Sequence, residues 1–99
     1  MVIEHALLNV TPGQEEAFKQ ALPLALPIIE SAPGCKGAHV RQQVEDPGVF
    51  LLLVTWESLE AHAAFRDLSI FEAWRSLTHP FYVEKPIVNH FHEVAPVIN

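Results

Sequence analysis

Cysteine, glycine and positive charge are all scarce in this sequence. Cys35 is the only thiol in 99 residues, so no internal disulfide braces the chain and no paired-cysteine metal or redox site exists. The four glycines form neither a dinucleotide-binding fingerprint nor a phosphate-cradling Walker loop, and no serine, histidine and acid arrangement stands out, which removes most nucleotide-dependent and nucleophilic enzyme classes. Six Lys plus Arg against twelve Asp plus Glu leave a net charge of −6, the wrong sign for a surface that neutralises nucleic-acid phosphates. The longest apolar stretches, Val49 to Val54 and Ala21 to Ile29 with its two prolines, fall short of the ~18–20 residues of a membrane span. The opening Met1-Val2-Ile3-Glu4-His5 has neither the basic start nor the apolar core of a secretion signal. The expectation is a cytoplasmic protein without a membrane or nucleic-acid partner.

With 49% hydrophobic and 18% charged residues, the composition is that of one domain over residues 1–99. Val2 to Val10 alternates Ile3, His5, Leu7 and Asn9 with Glu4, Ala6, Leu8 and Val10, a strand pattern. Thr11-Pro12-Gly13-Gln14 has the spacing of a capping box with proline at the first helical position. Phe18, Leu22, Ala25, Leu26 and Ile29 recur at helical spacing, and Pro23 and Pro27 predict a kinked or divided helix. Ser31-Ala32-Pro33-Gly34 ends it. Ala38 to Val44 reads as a polar edge strand, joined through the Glu45-Asp46-Pro47-Gly48 turn to Val49–Trp56, whose unbroken apolar run marks a central strand. Ser58 can cap a helix from Leu59 to Arg66, a second short helix covers Ile70 to Leu77, and Ile87 to Val94 closes the order as a last strand.

The order β-α-β-β-α-β predicts an α+β, ferredoxin-like split βαβ fold, a four-stranded antiparallel sheet with its helices on one face. Helices cover one sheet face only, yet the first and third strands carry large apolar side chains on both. The second face is therefore expected to pack on another copy, making a homodimer.

Val10-Thr11-Pro12-Gly13, Glu45-Asp46-Pro47-Gly48 and above all Thr55-Trp56-Glu57-Ser58-Leu59-Glu60-Ala61-His62-Ala63-Ala64-Phe65 resemble the antibiotic biosynthesis monooxygenase (ABM) family over nearly the whole chain. The resemblance implies a dimeric α+β barrel and an oxidation of small aromatic, phenolic or quinol-like molecules without a metal or flavin. A haem-degrading branch of that family carries cleft residues at positions matching Ala6, Phe65 and Arg75. All three differ here, and no histidine remains where it would ligate iron. Phe65 also stands where many quinol-oxidising members carry histidine.

Phe65, Phe71 and Trp74 form an aromatic set with Ala6 as a small neighbour on the matched first strand, and Arg75 and His79 lie beside them. Such a pocket suits a planar phenolate or enolate that passes an electron to O₂ itself. Arg75 is expected to hold the anion and His79 to remove the proton. The plainer reading makes the aromatics core and Arg75 solvated, and the chain a non-catalytic dimeric barrel that binds a small apolar ligand. His90 and His92 share a strand face, but a metal would need a third ligand from His5, His39 or Glu93. No metal is expected, and histidines bonded to backbone or water at the dimer seam serve as well. Pairing of the first and last strands would bring His5 towards His92. Cys35, in a turn beside Lys36, is expected to be exposed and mildly activated.

Overall fold

The computed structural model describes residues 1–94. Its elements run β1 (Val2–Asn9), α1 (Glu15–Glu30), β2 (Cys35–Gln42), β3 (Val49–Trp56), α2 (Leu59–Phe65), α3 (Ser69–Thr78), a turn of 3₁₀ helix at His79–Phe81, and β4 (Ile87–Phe91). The four strands form one antiparallel sheet in the order β2-β3-β1-β4. The expected ferredoxin-like order is present, with β1 and β3 in the centre.

Alternation along the strands decides which face the helices cover. Glu4, Ala6 and Leu8 of β1 and Phe50, Leu52, Val54 and Trp56 of β3 are buried, whereas Ile3 and Leu7 stay exposed and Leu51 and Leu53 are half-buried. Phe18, Ala25 and Ile29 of α1, Phe65 of α2 and Trp74 of α3 fill the space above the inner face. The rings meet edge-on or tilted: Phe18 lies 4.9 Å from Phe50, and Phe65 lies 5.7 Å from Trp56 and 5.2 Å from Phe71. These are the arrangements that aromatic quadrupoles favour.

Several local expectations change. The helix is not capped by Thr11: its hydroxyl donates to the Phe81 carbonyl, and Gln14 is the cap residue without a side-chain bond. The 3₁₀ turn holds Thr11 because the Thr11 amide also donates to Phe81. Nor is α1 divided. Pro23 and Pro27 lie four residues apart on its exposed side, so both missing amide bonds fall where water replaces them. Strand β2 begins at Cys35 rather than Ala38, with a bulge between Cys35 and Gly37, and β4 ends at Phe91. Ser58 does cap α2, accepting from the Ala61 amide at 3.1 Å. The Glu45–Gly48 turn closes with Asp46 Oδ1 accepting from the Gly48 amide at 3.0 Å, an Asx arrangement.

Cys35 is half-buried, and burial pushes its thiol up. Lys36 pairs with Glu57 at 3.0 Å, so the expected activation is absent. His5 stands opposite Asn89 and packs on Phe91 at 4.4 Å. His92 lies beyond the strand, and the expected approach to His5 does not occur.

Gly34 lies in the turn between α1 and β2 and packs against the start of α2. Its φ is +85°, its carbonyl accepts from the Glu57 amide at 2.8 Å, and a Cβ placed on it would sit 2.6 Å from the Ala61 Cβ. Gly34→Ala combines left-handed strain with a clash against helix α2, so chemical denaturation should show a loss of about 1–3 kcal/mol. Unchanged stability would mean that this contact does not hold α2 in place.

Candidate functional site

A cleft of about 460 Å³ opens between the inner sheet face at the β1–β4 edge and the α2–α3 layer. Ala6, Leu8, Leu52 and Val88 form its apolar floor, and Phe71, His79 and Tyr82 face them. Arg66, at the C-cap of α2, and Lys85 and Pro86, ahead of β4, complete the lining. The segment carrying Tyr82 and Lys85 is tied to the end of β1: the Val83 amide donates to the Asn9 carbonyl at 2.8 Å, and Asn9 Nδ2 donates to Glu84 at 2.9 Å. A stretch with little regular structure thus becomes a fixed wall.

The polar end of the cleft is built on Glu4 and His62. Glu4 points inward because β1 alternates, and only 4% of it is exposed. Trp56 sits diagonally across the β1–β3 ladder, Val2 being paired with Trp56 and Glu4 with Val54, a separation that a long aromatic side chain spans. Its indole Nε1–H donates to Glu4 Oε1 at 2.9 Å. His62, 6% exposed, lies flat on Trp56 with ring centroids 5.0 Å apart and planes 10° from parallel. Its Nε2 is 3.3 Å from Glu4 Oε1, and its Nδ1 is 2.7 Å from Nε2 of His90. His90 is exposed and stands opposite Glu4 in the β1–β4 register. A chain of three titratable groups therefore runs from a buried carboxyl to the surface.

Burial dominates the electrostatics of this end. Loss of water raises the Glu4 pKa, while the Trp56 bond and the Arg66 charge oppose the rise. Burial lowers His62 to about 4, helped by Arg66 and His90. His62 is therefore neutral at neutral pH, one ring nitrogen carrying a proton and the other free to accept one. Burial also lowers His79, with Arg75 adding to the fall and Glu72 opposing it, and raises Tyr82 to about 12.

Ala6, Phe71 and His79 line the cleft. Phe65 and Trp74 are buried in the core, Phe65 forming the layer between Trp56 and Phe71. Arg75 is exposed, 3.9 Å from Glu72, and lines a shallower depression that shares His79, Tyr82 and Lys85 with the cleft. The sequence singled out His90 only beside His92, as a metal ligand or a histidine of the dimer seam, and neither Glu4 nor His62 as a site residue. A signal existed for these last two: Glu4 falls on the strand face of Ala6, Leu8 and Val10, and His62 precedes Phe65 by three residues on one helix face. Among the described residues, no three His, Cys, Asp or Glu side chains come together as a metal site.

The lowered pKa of His62 fixes the sign of one pH effect. Between the unfolded value near 6.5 and about 4, the unfolded chain binds the proton and the folded chain does not, so stability falls as pH drops through that window. The raised Glu4 pKa acts oppositely, removing stability as pH rises through its folded value. His62→Phe keeps a ring on Trp56 and deletes the first effect. Urea titrations at pH 7 and near pH 4 should show the variant escaping an acid loss of roughly 2–3 kcal/mol. Equal acid losses in the two proteins would show that His62 titrates normally.

Residues 1–77 match the family model for the antibiotic biosynthesis monooxygenase (ABM) domain. The chain is 39% identical over 95 residues to the uncharacterized protein YczJ of Bacillus subtilis (strain 168), covering 95% of this chain and all of that one. A solved structure from Bordetella bronchiseptica, named for the same family, superposes with a TM-score of 0.90 at 33% identity, covering 95% of this chain and 97% of that one. One from Nitrosomonas europaea, named likewise, gives a TM-score of 0.81 at 20% identity over 96% of this chain and 100% of that one, a likeness of fold alone. By the family model and the Bordetella bronchiseptica structure, the chain belongs to the antibiotic biosynthesis monooxygenase family.

Proposed function

We propose that the chain is a cofactor-independent monooxygenase acting on a small aromatic, phenolic or quinol-like molecule, with Glu4 and His62 as its base. The buried Glu4–His62 pair at the end of an apolar cleft carries this reading. A phenol with a free para position and O₂ give a quinone and water. One oxygen atom becomes the new carbonyl, and the other leaves as water with the hydroxyl proton and the ring hydrogen. All four electrons taken by O₂ come from the substrate, so the protein need only ionise it, exclude water and manage the protons.

A carboxylate in a low-dielectric site is a stronger base than in water, and Glu4 has that position. The Trp56 N–H holds the carboxyl still. His62 takes a proton at Nε2 and releases one from Nδ1 to Nε2 of His90, which returns it to solvent. His79 and Arg75 flank the outer end, where the cleft meets the neighbouring depression. They orient the substrate there rather than take its first proton.

An oxygen electrode and a panel of hydroquinones and naphthols test the reading. Uptake should depend on the protein. Glu4→Gln, whose amide oxygen still accepts from Trp56, should slow it about 10²-fold or more with little change in Tm. If no compound drives O₂ consumption while several still raise Tm, the chain is a binding protein and the monooxygenase reading fails.

We also propose that the outer sheet face closes a homodimer. Ile3 is 37%, Leu7 51%, Phe91 51% and Ile87 75% exposed, and they share that face with half-buried Leu51 and Leu53. Apolar area left in water costs roughly 25 cal/mol per Å². Light scattering at micromolar concentration should give about twice the 11.1 kDa chain mass, and a stable monomer would overturn this assignment.

A further inference from the structure

The cations lining the cleft are unlike the others in the chain. Lys19, Lys36 and Arg75 each have a glutamate partner, at 3.0, 3.0 and 3.9 Å, and Arg41 donates to the Val40 carbonyl. Arg66 and Lys85, among the described residues, form neither an ion pair nor a side-chain hydrogen bond, and both line the cleft. In a chain with twice as many acids as bases, two cations without a carboxylate at one opening are a notable arrangement. They come from different walls, Arg66 from the end of α2 and Lys85 from the segment tied to β1. Among the described residues, the only carboxyl lining the cleft is Glu4, already engaged by Trp56 and His62.

We propose that the ligand of this cleft is an aromatic acid, a small planar molecule whose ring lies on the apolar floor and whose carboxylate is held by Arg66 and Lys85. This rests on the cleft being the functional site. A volume of about 460 Å³ holds such a molecule, within the roughly 300–1,000 Å³ of small-molecule sites. The guanidinium of Arg66 presents the planar fork that matches a carboxylate, and Lys85 adds a second charge. A cationic rim on a protein of net charge −6 also gives the acid a favoured approach to this face over the rest of the surface. The ionisable hydroxyl of the same molecule is then directed towards Glu4 and His62 at the buried end.

Calorimetric titration of the full chain under anaerobic conditions, with a hydroxynaphthoate and the naphthol lacking its carboxylate, tests the assignment. The acid should bind about tenfold tighter or more at low salt, equivalent to roughly 1.4 kcal/mol, and the advantage should shrink at high salt. The double variant Arg66→Ala, Lys85→Ala should bind both probes alike, with unchanged circular dichroism and Tm because both side chains are exposed. Equal affinities in the unaltered protein, no measurable binding of the acid, or a preference that survives in the double variant would overturn the proposal. Absence of O₂ uptake beside a preserved acid preference would remove the monooxygenase reading and leave the aromatic-acid site in place.

Discussion

Glu4 is a carboxyl group withdrawn from water on the apolar face of a central strand, and the arrangement around it is what keeps that burial tolerable. An ionised carboxylate in a protein interior costs several kcal/mol unless hydrogen bonds replace its hydration. The indole N–H of Trp56 supplies one such bond, and the His62 ring lies 3.3 Å away. Each neighbour is itself constrained. Trp56 ends β3 and packs on Phe65, and His62 is carried by a helix that Ser58 caps and Gly34 allows to approach closely. The polar end of the cleft is thus part of the same packing that holds α2 on the sheet.

The strand order, the central place of β3, the hairpin at Glu45–Gly48 and the cap at Ser58 were all legible, because alternation, turn chemistry and capping are local properties of the chain. Thr11 misled because a tertiary bond to Phe81 competed for its hydroxyl. Pro23 and Pro27 do not divide α1, because the face on which a helix is solvated depends on what it packs against. The Glu4–His62–His90 chain was harder to read. Its members lie on β1, α2 and β4, far apart in sequence, and only strand pairing and helix placement bring them together. Aromatic spacing drew attention to Phe65 and Trp74, residues that the fold uses as core.

The two sheet faces have separate tasks. Helices cover the inner face except at the β1–β4 edge, where α2 ends at Arg66 and the chain must turn before α3. That interruption, a few residues of turn instead of a continuous helix, leaves the space for the cleft. The outer face carries Ile3, Leu7 and Phe91, and on the proposed dimer its burial would stiffen β1 from behind. Glu4 and His5 are neighbours in sequence, yet one faces the cleft and the other packs on Phe91 outside. A change at the outer face therefore reaches the carboxyl through one strand.

Charge is graded along the cleft as well. The buried end holds groups that burial drives towards neutrality, Glu4 upward and His62 downward, while the rim holds the exposed basic side chains of Arg66 and Lys85. A neutral molecule gains little from the rim, and a polyanion would leave charge uncompensated in the apolar middle. A ligand with one fixed negative charge at one end and one ionisable hydroxyl at the other meets a complementary group at each. On the proposed reading its hydroxyl lies towards Glu4 and His62, where the buried carboxyl is linked through the His62 ring to the exposed His90. Arg66 belongs to both ends, since it lines the rim and its charge also acts on Glu4 and His62, so on the proposed reading recognition of the acid and removal of its proton are coupled through one residue.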